Sequence, residues 1–125
     1  MNLILKEILI LQEINHPNLV TIQGISCSPN NYYLLTTYFD SMSLGQLLFT
    51  EKSILLTLEN KNHIVEQIVA GLTYLHLQTD PKPTIVHRDL KPGNILVNKN
   101  FDVKICDMGL CKCNDIAKSL QSINL

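Results

Sequence analysis

Apolar positions recur along this chain with two different periods, and the switches between them predict its elements. Leu3, Ile4, Ile8, Leu11 and Ile14 fall at close to helical spacing, and Pro17 lies just beyond, so a helix is predicted to end near Asn15. Leu19 to Ile25 and Tyr32 to Phe39 are rich in β-branched and aromatic residues. They flank the turn composition Ser28-Pro29-Asn30-Asn31, which predicts an antiparallel hairpin. Ile64, Ile68, Leu72 and Leu75 return every three to four residues, with Val65 and Val69 broadening the stripe, which predicts a well-buried amphipathic helix running to His76. Prolines at 81 and 83 deny a helix to the loop that follows. Ile95-Leu96-Val97 and Val103-Lys104-Ile105, joined by Asn98-Lys99-Asn100, predict a second, shorter hairpin.

Composition narrows the class without naming it. With 46% hydrophobic and 17% charged residues in 125, the chain has the makings of one folded unit rather than a disordered segment. A formal net charge of -1 and the lack of a Lys/Arg cluster argue against nucleic acid and anionic membranes as main partners. No apolar run approaches the ~20 residues that span a bilayer. The apolar start Leu3-Ile4-Leu5 is interrupted by Lys6 and Glu7, unlike a secretory signal. Cys27, Cys106, Cys111 and Cys113 lack the paired two-residue spacings of a zinc site, and Cys106 falls at the buried end of a predicted strand. Reduced thiols and a cytoplasmic location are therefore expected.

The chemistry is concentrated in His87-Arg88-Asp89-Leu90-Lys91-Pro92-Gly93-Asn94-Ile95-Leu96, followed by Lys104-Ile105-Cys106-Asp107-Met108-Gly109. These motifs resemble the catalytic loop and the magnesium-binding Asp-Phe-Gly of protein kinases, with Met108 in place of the usual Phe. Further segments match in the same order. Glu7 with His16-Pro17-Asn18-Leu19-Val20 resembles helix C and the loop into strand 4. Tyr32 to Phe39 resembles strand 5 and the hinge, with Thr36 as gatekeeper, Ser43-Leu44 opens a helix D, and Ile64 to His76 is similar to helix E.

The resemblance implies an α+β, bilobal kinase-like fold, present in part. Residues 1–39 would be an N-lobe remnant and hinge, and residues 40–125 the first part of the C-lobe. It also implies roles: Asp89 accepts the acceptor hydroxyl's proton, Lys91 meets the transferred phosphoryl, and Asn94 and Asp107 hold magnesium (Mg2+). Thr36, Thr37, Tyr38, Phe39, Leu96 and Asp107 would contact ATP. His87 would be a packed core residue, and Leu11, Ile22, His87 and Met108 would stack as an apolar spine, Met being flexible enough to fill an aromatic-sized gap. Lys91-Pro92-Gly93 is similar to serine/threonine kinases, and the loop before Ile85 to the tyrosine-kinase-like group. The implied partners are ATP and a protein substrate modified on Ser or Thr.

A glycine-rich loop and a strand Lys facing Glu7 are also features of this family. No Gly precedes Gly24, and Lys6 neighbours Glu7 on one helix. The expectation is of a domain cut at both ends, with weak or no activity as an isolated chain. The alternative reading is a catalytically inactive kinase-like fragment that serves as a binding module or has no independent function.

Overall fold

The computed structural model describes residues 12–50, 53–54, 56–79 and 84–106. The first hairpin forms where turn chemistry allows it. Strands β1 (Ile22–Ser28) and β2 (Asn31–Thr36) pair antiparallel, from Ser28 opposite Asn31 to Ile22 opposite Thr36, with a bulge between Ile22 and Gly24. Pro29 and Asn30 make the turn: Pro has a preset φ, and Asn tolerates tight-turn conformations.

Both strands sit closer to the turn than the pattern predicted. Residues 18–20 do not join the hairpin, because their backbone pairs elsewhere. Ile105 N–H donates to Asn18 O at 2.8 Å and Val20 N–H to Ile105 O at 3.0 Å, with Leu19 bridging Ile105 in parallel. At the other end the ladder closes with Thr37 N–H to Thr21 O at 3.4 Å, and residues 37–40 run on as an irregular segment.

A three-stranded antiparallel sheet carries the second half of the fold. Its order is β3 (Met42–Ser43), β4 (Ile95–Val97), β5 (Val103–Ile105). The β4–β5 hairpin falls where the pattern predicted it, with Ile95 opposite Ile105 and Val97 opposite Val103. The short β3 was not predicted, since two residues carry no period. Ser43 then caps helix α1 (Leu44–Leu48): its hydroxyl accepts the Gln46 N–H and the Gln46 side chain accepts the Ser43 N–H, both at 3.0 Å.

Helix α2 (Leu58–His76) starts earlier than its apolar stripe, because Thr57 caps it by accepting the Asn60 N–H at 3.1 Å. Ile64, Gly71 and Leu75 are buried, with Ile68 and Leu72 packed beside them. Val65 and Val69 do not broaden the buried stripe: they are 56% and 55% exposed. Each lies one position past a buried or packed residue, which at 3.6 residues per turn is a rotation of about 100°. Of the helix predicted near the start, residues 3–11 lie outside the described residues; Gln12 is helical and Glu13 leaves the helix ahead of Pro17.

Two apolar clusters join these elements. One gathers Ile14, Leu19, Leu75, Ile85 and Ile105; the other Leu47, Leu56, Ile64, Ile95, Val97 and Val103; Ile68 packs against both. Burying a side chain such as Leu19 or Leu75 stabilises by roughly 1.5–3 kcal/mol. These clusters therefore fix the β4–β5 hairpin, on which the site is built, to α2 and to the segment 14–19.

Candidate active site

The segment leading to Asp89 is pinned before it reaches the site. Ile85 N–H donates to Leu75 O at 2.8 Å and the Thr84 hydroxyl to His76 O at 3.1 Å, which ties this stretch to the end of α2. His87 is 3% exposed. Its Nδ1 accepts the Asp89 N–H at 3.1 Å, so the ring hydrogen sits on Nε2, which donates to Cys106 O at 2.8 Å. His87 is thus the core residue that was predicted, committed at both nitrogens. Arg88, exposed, has φ 73°, a left-handed conformation that costs a non-glycine residue on the order of 1 kcal/mol. The two bonds of His87 on either side hold the turn in that shape.

Asn94 is brought to Asp89 by a single 3-10 turn, Pro92–Asn94. Pro92 suits its first position because no N–H is needed there. Asn94 N–H donates to Lys91 O at 2.9 Å. The Asn94 side chain, 4% exposed, donates through Nδ2 to Asp89 O at 2.8 Å and to Asp89 Oδ2 at 3.0 Å. Its backbone carbonyl accepts from Cys106 N at 2.9 Å and from Cys106 Sγ at 3.3 Å. Lys91 Nζ stands 3.6 Å from Asp89 Oδ2, with both side chains partly exposed. An exposed pair of this kind contributes ~0–1 kcal/mol, so its significance is positional.

Asp89, Lys91 and Asn94 therefore converge within one hydrogen-bonded unit, and Cys106 is its second wall. With Nδ2 given to Asp89, the amide oxygen Oδ1 of Asn94 is the atom left for a cation. A hard oxygen donor beside a carboxylate suits magnesium. Asp107 and Met108 follow directly and lie outside the described residues, as do Glu7 and Leu11.

A protein kinase domain model matches residues 1–124. The chain belongs to the protein kinase domain family. It is 39% identical over 107 residues to the LRR receptor-like serine/threonine-protein kinase SIK1 of Oryza sativa subsp. japonica. It is 40% identical over 109 residues to U-box domain-containing protein 34 of Arabidopsis thaliana, and 36% over 110 to the mitogen-activated protein kinase HOG1 of Saccharomyces cerevisiae. These matches take in 85%, 86% and 88% of the chain but only 11%, 13% and 23% of the relatives. The crystal structure of Rad53 residues 1–466 in complex with AMP-PNP superposes with a TM-score of 0.73 at 29% identity. It covers 88% of this chain and 28% of that one. The partial kinase-like α+β fold is thereby shown.

Of the residues predicted to meet the nucleotide, Tyr38 and Phe39 line one cavity of the kinase domain. This cavity of about 560 Å3 lies beside Tyr38, Phe39, Met42, Leu47, Val97 and Phe101; Thr36, Thr37 and Leu96 are not in its lining. Strand alternation puts half-buried Leu96 on the opposite face of β4 from buried Ile95 and Val97. Thr37 Oγ1 is held by Gln23 Nε2 at 2.8 Å, Tyr38 is 85% exposed, and the Phe39 ring lies 5.6 Å from Lys104 Nζ.

Cys106 was expected only as a reduced thiol at the end of a strand, and no role was predicted for Gln67. A signal for Gln67 exists: a polar residue three positions after Ile64 and four before Gly71 lies on the buried face of α2.

Proposed function

We propose that this chain carries the catalytic loop of an ATP-dependent serine/threonine protein kinase, which transfers the γ-phosphoryl group of ATP to a protein hydroxyl. The observation that carries the reading is the double hydrogen bond from buried Asn94 to Asp89, which aims the carboxylate and leaves Asn94 Oδ1 for the metal. In the reaction the bond from the γ-phosphorus to its bridging oxygen breaks and one to the acceptor oxygen forms. Asp89 orients the acceptor hydroxyl and takes its proton as ADP departs. Lys91, close to Asp89, meets the charge on the transferring group. Asn94 Oδ1 and Asp107 would hold magnesium, whose charge would neutralise that of the phosphate oxygens.

Thr36, Thr37, Tyr38, Phe39 and Leu96 form the nucleotide edge in this reading, with residues 1–39 as N-lobe remnant and hinge and 40–125 as the first part of the C-lobe. The Ser/Thr preference rests on Lys91-Pro92-Gly93 and on relatives named as serine/threonine kinases. The test uses the protein made from its complete transcript, with γ-labelled ATP, magnesium and a peptide mixture offering Ser, Thr and Tyr. Label is expected on Ser or Thr and lost with Asp89→Asn, since an amide keeps the shape but is a far poorer base. Full transfer by Asp89→Asn would overturn the role of Asp89, and label confined to Tyr would overturn the substrate class.

A further inference from the structure

Gln67 on α2 engages all four hydrogen-bonding sites of its side-chain amide. Oε1 accepts from Val103 N at 2.9 Å and from Asn18 Nδ2 at 3.1 Å; Nε2 donates to Phe101 O at 2.8 Å and to His63 O at 3.1 Å. Phe101 O and Val103 N are successive groups on one edge of the chain entering β5. The amide of Gln67 takes both, as a neighbouring strand's peptide would. Asn18, held by the same amide, donates through Nδ2 to Val103 O at 2.9 Å and accepts Ile105 N–H on its backbone oxygen.

We infer that Gln67 is a positioning residue: its amide locks the register of β5 and thereby the placement of Cys106 against Asn94. A strand of three residues has little alignment of its own, and a slip of one residue would turn every side chain to the other face. With β4 on one edge, and Asn18 and Gln67 on the other, only one register satisfies both. That register is read out at the site, where Cys106 N–H meets Asn94 O and Cys106 O meets His87 Nε2. An apolar side chain at 67 would suit the helix face beside Ile64 and Ile68, yet would leave the Val103 N–H, the Phe101 carbonyl and the Asn18 amide without this partner.

The consequence for phosphoryl transfer rests on the kinase reading above, whereas the lock itself does not, so the test has two arms. In the first, amide hydrogen exchange is followed residue by residue in the full chain. Gln67→Met is compared with wild type brought to equal global stability by urea. In Gln67→Met the amides of Val103, Ile105 and Cys106 are expected to exchange at least about tenfold faster than in the matched wild type, while Leu72 and Leu75 in α2 exchange alike. Exchange that changes in step across both sets would overturn the lock, because it would mean that Gln67 contributes only to overall stability. If Gln67→Met does not fold, the same comparison is read on Gln67→Glu, which keeps the acceptor oxygens and loses the donor. In the second arm magnesium and AMP-PNP are titrated into both proteins. Weaker binding by Gln67→Met is expected. A wild type that binds no nucleotide but shows the split in exchange would count against the kinase reading and leave the lock standing.

Discussion

Replacing Gly71 by Ala tests how closely α2 must approach the segment that flanks β5. A Cβ added at Gly71 would stand 3.2 Å from Asn18 O, 3.2 Å from Ile105 Cδ1 and 3.3 Å from Leu19 Cδ2. The first of these is backbone, and it is already engaged by the Ile105 N–H, so it cannot swing aside as the tip of a side chain could. Two effects oppose each other. Ala is favoured over Gly in a helix interior by about 1 kcal/mol. Overpacking a close-packed contact costs about 1–3 kcal/mol. With three near contacts, one of them rigid, a cost near the middle of that range gives a net loss of about 1 kcal/mol. The melting temperature should then fall by about 4 °C. Urea and thermal unfolding, followed by circular dichroism, measure both. Ala70→Gly on the exposed side of α2 is the control, expected to lose about 1 kcal/mol from propensity alone. A Gly71→Ala protein more stable than wild type by ~1 kcal/mol would refute the reasoning, since the full propensity gain would then appear with no cost of contact.

Two further outcomes follow from the same packing. Partial burial, and then the positive charge of Lys104, lower the pKa of His16 from its ordinary value of 6.5. Its Nδ1 also accepts the Asn18 N–H at 3.0 Å, a bond that the protonated ring cannot accept. The unfolded chain therefore takes the proton first. Stability should be full above 6.5, fall as the pH drops from there towards the lowered folded value, and then level off. His16→Gln should flatten this slope in urea midpoints measured across that range, and an unchanged slope would assign it to other groups. Thr57→Ala removes the oxygen that caps α2 and should cost about 1 kcal/mol in the same assay, whereas Thr57→Asn should restore most of it; equal stability of all three proteins would show that the cap is idle.

What the amino-acid order settled by itself is local. The helical period of α2, the turn at Pro29–Asn30, the cap at Ser43, and the spacing that lets a 3-10 turn return Asn94 to Asp89 all rest on residues within a few positions of one another. There a spacing and a preferred dihedral are enough to specify the contact. The motif at 87–94 was legible for the same reason. Other features needed the folded chain. Leu19 and Val20 had the composition to extend β1, but the segment 18–20 paired with β5, because Asn18 could also be bound there by Gln67 and Val103. Val65 and Val69 had the right period and the wrong azimuth, since a period says that a face exists and not how wide the opposing surface is. Gln67 looked like any polar position in a helix until four partners, drawn from its own helix, residue 18 and the β4–β5 hairpin, closed around it. Backbone groups carry no identity in a sequence, and which of them finds which partner across the fold is decided only when the clusters around Leu75 and Val103 bring them within reach.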